Sequence, residues 1–148
     1  RSCDDRRMPS YDRAEIEAAF QKTIDVQTHD DWNGFVDCFT PDALYVEHHL
    51  GTFRGRDAIR AWLIPAMAQC KGWTYPIEWV AIDGNRIVYK WQNRLPGKRA
   101  DGTHYEFPGL TIKVYAGAGR FDYQEDVYNW ESALKVLKEY AAAQRTSP

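Results

Sequence analysis

Apolar residues recur at helical spacing through Trp32, Phe35, Val36 and Phe39, and the rest of the chain is arranged around this stretch. Thr40-Pro41-Asp42 then breaks the helix, because the residue before a proline is steered out of the α region and proline itself cannot donate. Ala43 to Leu50, rich in Leu, Tyr and Val, reads as a strand. Gly51 and Gly55 bracket a tight return that holds Phe53. Asp57 sits at an N-cap position ahead of Ile59, Trp62 and Leu63, which predicts a helix to Cys70 that Pro65 kinks or ends.

Upstream, Ile16, Ala19, Phe20, Ile24 and Val26 mark a helix over Tyr11–Thr28, with Asp12 as cap and Glu15 completing a capping box. Downstream the period becomes that of strands. Thr74–Asp83 and Arg86–Leu95 flank an Asp-Gly turn, a strong hairpin signal. His104–Tyr115 follows a loop at Pro96–Thr103, with Pro108-Gly109 marking a bulge or an edge irregularity. The glycine turn 116–119 leads into Arg120–Tyr128. Trp130–Ala143 closes the chain as an amphipathic helix through Leu134, Leu137 and Tyr140. Helices first and a meander of strands after predict an α+β domain over residues 11–145, without internal repeats. Residues 1 to about 10 read as a disordered or extraneous lead.

At 148 residues the chain suffices for one domain with a real core. A net charge of -2 argues against a nucleic-acid or anionic-membrane partner, which would need a basic patch. No apolar run is long enough to span a bilayer, and the first residues lack the apolar core of a secretory signal. Cys3, Cys38 and Cys70 have neither the number nor the spacing of a disulfide framework or a zinc site, so a cytoplasmic, reduced protein is expected. No nucleotide-binding glycine loop and no nucleophile elbow occurs, so neither a nucleotide cofactor nor covalent serine catalysis is expected.

Three stretches, His29-Asp30-Asp31-Trp32, Phe39-Thr40-Pro41-Asp42-Ala43 and the run from Gly51 to Ile59, carry a resemblance to a known family. Over roughly Asp12 to Tyr140 the chain resembles the NTF2-like superfamily, in its SnoaL-like and limonene-epoxide-hydrolase-like branch. The resemblance implies a cone: a curved, mostly antiparallel sheet wrapped around the N-terminal helices, an apolar central pocket, and a homodimer through the outer sheet face. It also implies a cofactor-independent site for a small apolar molecule. The superfamily hosts hydrolases, cyclases, isomerases, dehydratases and plain binding domains, so fold alone selects no activity.

Asp126, on the last strand, matches the family's catalytic aspartate. A carboxyl in an apolar cavity has its charged form destabilised and can hold a proton near neutrality. A solvated strand carboxylate is the alternative. Trp91 and Asn93 share one strand face and match the Arg-x-Asp of the epoxide hydrolases. Neither residue is the family's, so hydrolysis by that triad is not implied; the Asn93 amide can orient an oxygen, and Trp91 offers a stacking wall. His48 matches the general base of the ketosteroid-isomerase branch, whereas Thr23 and Thr111 stand where its oxyanion hole would be. Adjacent histidines, His48 and His49, face opposite sides of a strand, which disfavours a shared metal. Tyr45, Tyr89, Tyr128, Trp62 and Glu106 are candidate pocket-wall residues. The expected chemistry is epoxide hydration, ring closure, or isomerisation/dehydration by Asp126, His48 and Asn93. A non-catalytic binding or dimerisation domain is the rival, and a protein-protein adaptor exposing Trp73, Trp79 and Phe107 is a third reading.

Overall fold

Asp12 adopts an extended backbone and accepts from the Ala14 N–H, so the first helix, α1 (Arg13–Thr28), starts where the cap predicts. Glu15 does not close a capping box; it accepts a 2.5 Å bond from the Tyr115 hydroxyl across the core. Asp31 caps α2 (Trp32–Asp37) through the Gly34 N–H. The chain then enters β1 (Phe39–Glu47) at once, and the ladder is irregular between Phe39 and Leu44, around Pro41. The expected glycine return is a short strand, β2 (Gly51–Arg54), paired antiparallel to β1. Helix α3 (Arg56–Ala68) is capped by Gly55 rather than Asp57, because the chain turns there at φ 89°, a conformation that favours glycine. Asp57 falls in the first turn, where its charge still favours the helix dipole. Pro65 lies inside α3, which ends about one turn later.

The remaining strands are β3 (Ile77–Asp83), β4 (Arg86–Lys98), β5 (His104–Gly117) and β6 (Arg120–Tyr128), followed by α4 (Trp130–Thr146). Thr74, predicted inside β3, makes only an isolated bridge to Arg94. The computed structural model describes residues 9–146; the predicted lead falls largely outside that range, as does Cys3. Within it, Pro9 accepts a bond from the Asn85 side chain. The strands form one curved, open sheet in the order β2-β1-β6-β5-β4-β3, antiparallel except for the β1–β6 pair. Register shifts in β3, β4 and β5 interrupt the ladders, and such bulges bend the sheet.

The concave face and helices α1–α3 enclose the main core, in which Ile16, Val36, Phe39, Ile59 and Phe121 are fully buried. Each such side chain contributes roughly 1.5–3 kcal/mol through burial. A second cluster joins α4 to Leu95, Tyr105 and Phe107. It uses Ala133 and Val136 with Leu137 and Tyr140, so the buried stripe is rotated by one residue from the predicted one. Trp73 and Phe107 pack into this cluster, and Trp79 alone of the three adaptor residues is a large exposed apolar side chain. Among the described residues no helix is long and apolar enough to cross a membrane.

Candidate active site

Side chains two apart on a strand share a face, so the register stacks the concave surface into rows. One row runs Tyr45, Gln124, Lys113, Ile87 across β1, β6, β5 and β4. The next runs Glu47, Asp126, Thr111, Tyr89, and a third runs Tyr128, Gly109, Trp91, Ile77. Gly109 has a structural reason: a Cβ there would sit 2.9 Å from the Trp91 ring, so the missing side chain lets the indole lie against the sheet. Helices α1–α3 and the 70–76 connection roof the last two rows, leaving a cavity of about 690 Å³. That size suits a small organic molecule.

Asp126 is the polar centre of the cavity wall. Its Oδ2 accepts a short bond from the Tyr45 hydroxyl, and its Oδ1 accepts from Thr111 Oγ1 at 2.7 Å and Gln124 Nε2 at 3.2 Å. Gln124 also donates to the Tyr45 oxygen at 2.8 Å, and Trp91 Nε1 donates to Thr111 Oγ1 at 2.8 Å. The indole, the threonine and the carboxylate thus form one chain. Protein surrounds the carboxyl except where it faces the cavity. Burial raises its pKa above the ordinary aspartate value; the three donors and the charge of Lys113 oppose that rise without cancelling it. Burial, and then the neighbouring Asp126, push the Tyr45 hydroxyl well up, so Tyr45 keeps its proton and acts as a donor.

The other predicted residues divide. Tyr45, Tyr89, Trp91, Tyr128, Trp62 and Asn93 all line the cavity with Asp126. Trp62 stacks on Phe53 at 4.1 Å and meets Tyr45 edge-on, which fixes its ring in the wall. Asn93 is 8% exposed, but Asp126's hydrogen-bond partners are Tyr45, Thr111 and Gln124. Asn93 pairs with Phe107, well along β4 from the Asp126 row, and at about 3.3 Å per residue the offset is roughly 13 Å. The expected Asp126–Asn93 partnership is therefore corrected: Asn93 serves another part of the wall.

His48 is corrected outright. β1 ends at Glu47, so His48 starts the turn to β2, is 49% exposed and bonds Glu125 at 2.6 Å, away from the cavity. That contact, with Tyr123, holds the Glu125 carboxyl below its ordinary range. His49 stacks on Trp130 at 4.8 Å and packs on Tyr128. Glu106 pairs with Arg94 at 2.6 Å and does not line the cavity.

Glu47 is a site residue that the sequence pattern did not single out from its neighbours His48 and His49. Glu47 is 4% exposed and lines the cavity beside Asp126. Its Oε1 accepts from the His49 N–H at 3.3 Å, and its Oε2 is sealed from solvent. Burial, then the Glu47 charge and a side-chain hydrogen bond to Glu47, push the pKa of the Tyr128 hydroxyl up. Strand alternation from Tyr45 could have placed Glu47 on the inner face. Lys113 was also missed. It is 0% exposed, without a hydrogen-bond partner, and its Nζ lies 4.6–5.3 Å from the centres of the Phe35, Phe39 and Phe121 rings. Burial lowers its pKa to about 8.

Residues 20–120 match the model of the SnoaL-like domain. Among curated proteins none matches by sequence. Solved structures with the same fold include an LEH-like epoxide hydrolase from M. tuberculosis, 16% identical over 90% of this chain and 98% of that one, with TM-score 0.69. TerC, co-crystallised with polyporic acid, is 16% identical over 84% and 98%, with TM-score 0.67. A protein from Shewanella denitrificans named as a SnoaL-like polyketide cyclase is 17% identical over 86% and 99%, with TM-score 0.68. At such identities the likeness establishes the NTF2-like fold.

Proposed function

The chain belongs to the SnoaL-like domain family, and from that premise we propose that it is a cofactor-independent acid/base enzyme acting on a small, largely apolar molecule inside the cavity. The observation that carries this reading is the half-buried Asp126 carboxyl, held by three donors on the wall of an aromatic-lined cavity, where desolvation raises its pKa. A proton carrier works best when its pKa approaches the operating pH, and desolvation moves Asp126 in that direction. Tyr45, Thr111 and Gln124 fix the carboxyl's orientation, and Trp91 fixes Thr111. Asp126 in this arrangement takes a proton from, or gives one to, a substrate oxygen or an acidic carbon. That suffices for ring closure or isomerisation of a carbonyl compound, and for epoxide opening.

The test is turnover of a panel of epoxides, enones and β-keto esters by the natural protein and by Asp126→Asn. The reading expects turnover of one class that Asp126→Asn abolishes, with ligand affinity kept within a few-fold. Retained turnover removes Asp126 from the mechanism. A binding domain is the second reading, and a specific observation favours it: three donors already satisfy the carboxylate. Tight binding across the panel without any reaction would establish it. We also place a homodimer face on the convex side of the sheet, where exposed Trp79 and Val127 flank a shallow groove over Lys90 and Leu110. A monomer mass by sedimentation would remove that placement.

A further inference from the structure

Tyrosines apart, the buried polar side chains of the cavity wall among the described residues are Glu47, Asn93, Thr111 and Gln124. The protein itself holds all but one. Thr111 and Gln124 donate to Asp126, and Glu47 accepts from the His49 N–H and is bonded to Tyr128. Asn93 is 8% exposed, and its carboxamide has no hydrogen-bond partner among the described residues. Neither of its amide atoms is sealed off as Glu47 Oε2 is, so the accessible part of Asn93 opens to the cavity that it lines. A carboxamide so buried is costly to leave unpaired, and a ligand that supplies the partners removes that cost.

Strand β4 presents Tyr89, Trp91 and Asn93 in turn to the cavity, since alternate residues share a face. The Trp91 indole lies over Gly109, in the row between Asp126 and Asn93. Asn93 therefore stands beyond the indole, about 13 Å along the strand from the Asp126 row. It forms a second polar end to an apolar floor. The chemistry of that end is restricted. The carboxamide donates through Nδ2 and accepts through Oδ1, so a single group satisfies it in full only by doing both. An ammonium only donates, which leaves Nδ2 unpaired. An anionic group would meet Asp30, Glu47 and Asp126, with no Lys, Arg or His among the described lining residues to offset them. A neutral amide meets both requirements.

We propose that Asn93 is a specificity-determining contact for a ligand that lies on Trp91 and carries a neutral amide at the end remote from Asp126. The amide oxygen accepts from Asn93 Nδ2, and the amide N–H donates to Oδ1. This rests on the cavity being a small-ligand site, and it does not depend on Asp126 moving a proton.

The experiment measures the affinities of 2-naphthamide and 2-isopropenylnaphthalene by isothermal titration calorimetry. The probes share one shape and differ in a carboxamide against a hydrocarbon end. The natural protein is expected to bind the amide at least as tightly as the hydrocarbon, although the amide gives up more hydration. Tighter binding of the hydrocarbon overturns the inference, and this arm needs no variant to fold. In Asn93→Leu, which keeps the side chain's size, the amide is expected to weaken roughly tenfold or more relative to the hydrocarbon. An unchanged ratio there overturns the assignment to Asn93. In Asp126→Asn the ratio is expected to stay; its collapse would put the amide at Asp126 and overturn the inference as well. Failure of both probes overturns this inference together with the small-ligand reading. Retained turnover in Asp126→Asn would strike the proton-carrier role alone.

Discussion

Lys113 and Asp126 lie on adjacent strands, one row apart on the concave face, and the fold treats their buried charges in opposite ways. Around Lys113, Phe35, Phe39 and Phe121 fill the space, and the ammonium has rings for neighbours and no hydrogen-bond acceptor. Around Asp126 the space is left open, and Tyr45, Thr111 and Gln124 meet the carboxyl with donors. The difference lies in side-chain volume: α2 and β1 supply phenylalanines at the sealed end, whereas Gly109 and the flattened Trp91 keep the other end clear. Close packing at the sealed end carries stability, and the open end gives up packing for a ligand. Substitutions at the two ends should therefore be read out by different measurements.

The largest expected effect is at the open end. Asp126→Asn should lower turnover by roughly 10²–10⁴-fold, the usual contribution of a positioned acid or base. The same change should raise stability at neutral pH. A buried carboxyl with a raised pKa binds its proton more tightly folded than unfolded, so its charged form opposes folding above that pKa. The advantage of Asn should therefore shrink as pH falls through the folded pKa toward the ordinary value of 3.8, as denaturant melts across pH would show.

Next comes the sealed end. Phe39→Ala removes a fully buried ring and should cost about 3–5 kcal/mol in urea unfolding. Trp62→Ala, in the cavity wall, should cost less stability and mainly weaken binding of the ligand panel. Similar stability losses for both would erase the distinction between the ends.

Lys113 gives a smaller, pH-resolved effect. Its pKa falls from 10.5 unfolded to about 8 folded, so the unfolded chain binds more protons between those values and stability rises with pH across that window. Below about pH 8 the full penalty is present, on the order of 3 kcal/mol. Lys113→Met should therefore be more stable than the natural protein at pH 7, with the gap closing by about pH 10.5. A gap that is constant with pH would deny that the ammonium is desolvated. The smallest effect belongs to His48→Gln. Its pair with Glu125 is half exposed, so stability should move by no more than about 0.5 kcal/mol and turnover should not change.

Much of this architecture was legible from periodicity. The strand alternation and the Asp-Gly turn placed β3–β6, and the resemblance supplied the cone and the last-strand aspartate. Boundaries set by backbone conformation were less legible: Gly55 caps α3 because of a positive φ that no pattern around Asp57 reveals. The site was half legible. Asp126 came from the resemblance and only Trp91 and Asn93 from a shared strand face; the tyrosines of the wall could not be selected from the sequence, and His48 was misplaced because β1 ends one residue before it. Glu47 and Lys113 were missed because a charged residue on a strand reads as solvent-facing until both neighbouring strands are in register. Asn93 was coupled to Asp126 by family position, and the register sets the two far apart.

The most direct test of the central claim is a carbon-detected NMR titration of the Asp126 carboxyl, assigned by comparison with Asp126→Asn. The account predicts a midpoint above the ordinary aspartate value, shifting further when a ligand displaces cavity water. A midpoint at or below 3.8 would mean that Tyr45, Thr111 and Gln124 hold Asp126 ionised, leaving the cavity without its proton carrier.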